Sequence, residues 1–66
     1  MKVEINGEAR DVADGISIQA LVEHLELTGR RIAVEVNGEL VPRARHAARP
    51  LAPGDKIEIV TLVGGG

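Results

Sequence analysis

Two Asn-Gly pairs, Asn6-Gly7 and Asn37-Gly38, constrain the fold of this chain more than any other feature. Each follows a run in which polar and apolar residues alternate or nearly so, Lys2-Val3-Glu4-Ile5 in one case and Ile32-Ala33-Val34-Glu35-Val36 in the other. Period two sends one set of side chains to one face of a strand. A type I′ turn needs positive φ at both central residues, which Asn tolerates and Gly adopts without steric cost, so each pair predicts a tight hairpin. The first hairpin returns through Glu8 to Val12, polar enough for a sheet edge. The second returns through Glu39-Leu40-Val41 and ends at Pro42, which has no N–H to give to a ladder. The echo between residues 3–8 and 34–39 is shared turn chemistry and not a repeat, because the segment between them has no second copy.

That segment changes period. Ile18, Leu21, Val22 and Leu25 fall at i, i+3, i+4 and i+7 and share one helical face. Ser17 is the expected N-cap and Gly29 the expected stop. A helix this short does not persist alone, so it must lie on the sheet. After the second hairpin, Arg43 to Pro50 reads as an irregular or short helical connection, with Leu51 plugging the core from it. Pro53-Gly54-Asp55 is a turn, and Lys56 to Leu62 is the last strand. Ile57, Ile59 and Thr61 point one way along it, Val60 and Leu62 the other. Five short strands and one helix on a single core make an α+β domain with the helix across one sheet face.

Sixty-six residues make one domain, and at this size only about 60% of the unfolded surface is buried, which leaves little room for an internal active site. With no cysteine there is no disulfide framework and no side-chain thiol to act as nucleophile or metal ligand. With no aromatic residue there is no stacking platform for single-stranded nucleic acid, and the net charge of −2 argues against phosphate-backbone binding. Arg30-Arg31 and Arg43, Arg45 and Arg49 read as solvated loop charge. No apolar run is long enough to span a membrane and no secretory signal is apparent, so the expected location is the cytoplasm. His24 and His46 have no second ligand at a recognisable spacing, and Glu23 and Glu26 read as the solvated side of the helix. No metal site, catalytic residue or bound cofactor is expected.

What remains is the end of the sequence, Val63-Gly64-Gly65-Gly66, where an apolar strand runs into three glycines. A glycine run contributes nothing to packing and resists being ordered, so residues 1–63 are expected to form the domain and 64–66 a flexible tail. Fully extended, the last four residues reach roughly 13 Å, enough to carry a terminal carboxylate into a narrow site on another protein. The same composition suits a frayed end or a linker remnant. The Gly66 carboxylate is the candidate functional group, Gly64 and Gly65 its neck, and Val60, Leu62 and Val63 an apolar patch for a partner to grip.

The chain resembles the ubiquitin-like sulfur carriers, most closely the ThiS family of thiamine biosynthesis. The resemblance covers the whole chain and rests on Ile5-Asn6-Gly7-Glu8, on Val36 to Arg43, on Leu51 to Val60 and on Val63-Gly64-Gly65-Gly66. It implies a ubiquitin-like β-grasp, a five-stranded mixed sheet with the first and last strands parallel at its centre. It implies Gly66 as the sulfur-carrying terminus and Gly65 as its diglycine partner. It also implies a protein that is not itself an enzyme and is a monomer when free. A carboxylate is a poor electrophile, so a partner must give it a leaving group. The family's partners are an adenylating enzyme of the ThiF or MoeB type using ATP and Mg²⁺, a persulfide sulfur donor, and a thiazole synthase of the ThiG type. Many relatives carry a tryptophan where this chain has His46. A carrier of another pathway, such as the small subunit of molybdopterin synthase, shares the diglycine end. A β-grasp module binding RNA through its arginine clusters is the reading from a different class.

Overall fold

The computed structural model describes residues 1–62. Strands β1 (Lys2–Ile5) and β2 (Glu8–Asp11) form the first hairpin, helix α1 spans Ile18–His24, and β3 (Ile32–Val36) and β4 (Glu39–Val41) form the second hairpin. A 3₁₀ helix at Arg43–Ala48 and strand β5 (Lys56–Thr61) complete the order. Both turns have the geometry their sequence requires, with φ of 50° and 85° at Asn6 and Gly7 and 53° and 85° at Asn37 and Gly38.

The five strands make one sheet in the order β2-β1-β5-β3-β4. Strand β5 lies at its centre, parallel to β1 and antiparallel to β3. Glu4 N–H donates to the Asp55 carbonyl and Asn6 N–H to the Ile57 carbonyl, both at 2.9 Å. The polar return strand β2 is an edge, as its composition predicts.

Val3 and Ile5 of β1, Val34 and Val36 of β3, and Ile57 and Ile59 of β5 face the helix. Ile18, Leu21 and Val22 meet them from α1, with Ile16 and Leu51 closing the core. Burying the three helical side chains contributes roughly 5 to 9 kcal/mol before conformational entropy is subtracted. Ser17 Oγ accepts from Ala20 N–H at 3.1 Å and caps the helix. The start of α1 is also tied to the segment before β5: Ile18 N–H donates to the Arg49 carbonyl at 3.0 Å and Leu51 N–H to the Ile16 carbonyl at 2.8 Å. These bonds hold Leu51 in the core.

The helix ends earlier than expected. The stop is Glu26, at φ 60°, and not Gly29. Leu27 N–H donates to the Val22 carbonyl and Glu26 N–H to the Glu23 carbonyl, the paired bonds of a Schellman motif. Leu27, the residue after the left-handed position, packs half-buried against the core, as the apolar residue at this place in the motif commonly does. Gly29, at φ 85°, serves the next turn, closed by Arg30 N–H to the Leu27 carbonyl. A left-handed residue with a Cβ costs roughly 1 to 2 kcal/mol. Glu26→Gly is therefore expected to raise stability by about 1 kcal/mol, less the greater entropy of glycine in the unfolded chain, and a urea titration would read this as a higher midpoint.

The 3₁₀ helix packs through His46, which is 6% exposed. Its Nε2 donates to the Val41 carbonyl at 2.9 Å, which fixes the segment against the end of β4. At Ala52–Asp55 proline and glycine occupy the two central positions of a turn, with Gly54 at φ 82°, and Asp55 N–H closes it on the Ala52 carbonyl at 3.1 Å.

Candidate functional site

Strand β5 runs through the centre of the sheet towards the glycines. Its alternation is clean: Ile57 and Ile59 are buried, whereas Lys56, Glu58 and Val60 are exposed on the other face. Leu62 N–H donates to the Arg31 carbonyl at 2.8 Å, so pairing with the β3 side continues one residue past the strand. Thr61 keeps the parity of Ile57 and Ile59 but is exposed, because β1 has already turned away at Gly7. It lines a shallow cavity of about 310 Å³ with Asn6, Leu25 and Leu27 among its neighbours. Val63, Gly64, Gly65 and Gly66 lie outside the described residues.

The face of the sheet away from the helix carries the expected apolar patch. Val60 and Leu62 are each 53% exposed. The register adds a residue that sequence reasoning missed. Leu40 of β4 lies opposite Glu35 of β3, which lies opposite Glu58 of β5, and directly opposed residues share a face. Leu40, 66% exposed, is therefore on the same open surface as Val60 and Leu62. Its place in a three-residue strand gave no signal of this, since the strand order β5-β3-β4 is what brings it there. Among the described residues neither Glu35 nor Glu58 forms a salt bridge, so the surface is apolar at its margins and acidic between them.

The groups that could do chemistry do not converge. His24 is exposed on α1 while His46 is buried beside β4. Among the described residues no three His, Cys, Asp or Glu side chains are grouped to hold a metal ion. Arg45 and Arg49 line a cavity of about 470 Å³ with Leu40 and Pro42, on a different loop from Arg30-Arg31. No helix among the described residues is long and apolar enough to cross a membrane.

A five-stranded mixed sheet with parallel first and last strands at its centre, and one helix across one face, defines a ubiquitin-like β-grasp protein. The sequence model of the ThiS family matches residues 3–66, and the chain belongs to that family. The crystal structure of the thiamine biosynthesis protein ThiS from Geobacter metallireducens superposes with a TM-score of 0.86 at 29% identity, covering 100% of both chains. The sulfur carrier protein ThiS of Escherichia coli is 29% identical over 66 residues, 100% of each protein. A thiazole synthase of Paramagnetospirillum magneticum is 42% identical over 66 residues, which are 100% of this chain and 20% of that protein. The chain thus spans about a fifth of the length of the thiazole synthase it matches.

Proposed function

We propose that this protein carries sulfur as a thiocarboxylate on Gly66 and delivers it for formation of the thiazole of thiamine. The observation that carries this reading is the family match over residues 3–66, which takes in the glycine run. The fold supports it, because β5 leads from the centre of a rigid sheet to those glycines. The thiazole synthase containing a similar segment supports the acceptor.

The chemistry requires a free carboxylate at Gly66. An adenylating partner binds ATP with Mg²⁺; a carboxylate oxygen bonds to the α-phosphorus and pyrophosphate leaves. The terminal sulfur of a persulfide then bonds to the Gly66 carbonyl carbon and AMP leaves. A thiol cleaves the resulting S–S bond, forming a disulfide with the donor sulfur and releasing the thiocarboxylate. The partner must supply alignment and stabilise the developing charge. Glycine at 65 and 66 leaves the carbonyl open to attack and the channel unobstructed. This chain is the substrate of each step, and a thiazole synthase receives the sulfur.

Incubation with an adenylating enzyme of this type, ATP, Mg²⁺ and a persulfide source, followed by intact-mass measurement, tests the reading. The protein is expected to gain the mass difference between sulfur and oxygen. An unchanged mass beside an enzyme that charges its own carrier would overturn it.

The open face is the proposed point of grip. Val60→Thr combined with Leu62→Ala is expected to remove about 1 to 2 kcal/mol of partner binding, roughly a tenfold rise in KM for charging. Because both side chains lie outside the core, thermal stability is expected to change by no more than about 0.5 kcal/mol.

A further inference from the structure

Both turn asparagines direct their side-chain amides at β5. Asn6 Oδ1 accepts from Ile59 N–H at 2.8 Å, and Asn6 Nδ2 donates to the Ile59 carbonyl at 3.3 Å. The amide stands in for the next residue of β1, where the backbone has left the ladder. Asn37 Oδ1 accepts from Lys56 N–H at 3.0 Å, and Asn37 Nδ2 donates to Asp55 Oδ1 at 3.0 Å. The other oxygen of Asp55, a residue only 8% exposed, accepts from Ala52 N–H at 2.8 Å. Each asparagine therefore uses its amide both as donor and as acceptor. A carboxylate cannot replace it, because an oxygen would then face the Ile59 carbonyl in one case and the Asp55 carboxylate in the other.

We propose that Asn6 and Asn37 are deamidation sites, held closed by these hydrogen bonds, and that their modification unseats the central strand. In an Asn-Gly pair no Cβ shields the following nitrogen. The Gly7 or Gly38 nitrogen gives up its proton and bonds to the asparagine Cγ; the Cγ–Nδ2 bond breaks and ammonia leaves with that proton. Water opens the resulting five-membered imide at either carbonyl, giving aspartate or isoaspartate, with no oxidant or reductant involved. To form the ring the side chain must swing onto its own backbone, so it must first release β5. The product cannot close again on the old contacts. At Asn37 it sets a second carboxylate against that of the buried Asp55, and isoaspartate adds a backbone atom to a two-residue turn. None of this depends on the chemistry of Gly66.

The test compares the intact folded protein with the same chain in guanidinium chloride, both at mildly alkaline pH, with the Asn6 and Asn37 peptides resolved by mass after digestion. Both peptides are expected to convert in denaturant. In the folded protein conversion is expected to be about a hundredfold slower or more, since only the opened turn reacts. Folded molecules that have converted separate by their added negative charge, and their Ile57 and Ile59 amides are expected to exchange hydrogen faster than in the unmodified protein. Equal rates with and without denaturant would overturn the protective role of the contacts. Converted molecules with unchanged exchange along β5 would overturn the unseating. Asn6→Asp and Asn37→Asp supply the aspartate product directly; faster exchange along β5 or failure to fold supports the inference, and unchanged exchange and stability contradict it. The rate comparison uses the unaltered chain, so it decides protection whether or not the variants fold.

Discussion

Deletion of Gly66, or replacement of Gly65 by Leu, is expected to abolish thiocarboxylate formation while leaving the melting temperature unchanged. The two halves of this expectation have separate causes. Every buried hydrophobic residue among those described lies between Val3 and Ile59, so the changes remove nothing from the core. Charging by the proposed route, in contrast, needs a carboxylate oxygen in line with the α-phosphorus of ATP and then the carbonyl carbon within reach of the sulfur, and a misplacement of about 1 Å can cost a hundredfold in rate. Shortening the chain by one residue withdraws the carboxylate by roughly 3.5 Å, several times that tolerance. Intact-mass measurement after incubation with the adenylating enzyme reads the result, and full thiocarboxylate formation on the shortened chain would remove Gly66 from its proposed role.

Leu21→Ala should have the largest effect on stability. Leu21 is 2% exposed, facing the sheet from the middle of α1, and alanine is at least as good a helix former, so the change isolates packing from propensity. Removing such a side chain costs about 2 to 5 kcal/mol through lost transfer energy and the cavity left behind. A domain of this length has a total stability of only about 3 to 10 kcal/mol. The melting temperature should therefore fall by 10 °C or more on an order-of-magnitude estimate, and part of the population should be unfolded at 37 °C. A drop of only one or two degrees in a thermal melt would mean that the neighbouring side chains collapse into the space.

The parts of this fold that depend on neighbours in sequence are legible in the sequence itself. Asn6-Gly7 and Asn37-Gly38 fixed the hairpins because their turn type admits few other residues, and the spacing of Ile18, Leu21 and Val22 located the buried side of α1. The end of that helix was not legible. Glu26 takes the left-handed position just before Leu27, which packs against the core, whereas propensity alone favours Gly29. Of the candidate site, Val60 and Leu62 could be placed from the alternation of the last strand. Leu40 joins them only through a strand order that sequence does not print. The bonds from Asn6 to Ile59 are less accessible still: they join residues 53 apart, and an asparagine in a turn reads as turn chemistry whatever its side chain touches. Asp55 likewise reads as part of a turn, and nothing in the sequence shows that its carboxylate accepts from Asn37 Nδ2 and Ala52 N–H.

The central position of β5 has a consequence for how the chain reaches its fold. In the order β2-β1-β5-β3-β4, neither hairpin borders the other; among the described residues β5 is the strand that joins them into one sheet. Up to Pro50 a growing chain holds two separate two-stranded ribbons, and such ribbons are marginal in water. Pairing Glu4 with Lys56 closes a loop across most of the molecule, so the entropic cost of that closure precedes nearly all the stabilisation it brings. Folding should accordingly approach all-or-none behaviour, with a single barrier crossed when β5 inserts. A molecule that has inserted β5 has, by the same event, set Val60 and Leu62 on the open face beside β3, so any partner that binds there meets only chains whose assembly is finished.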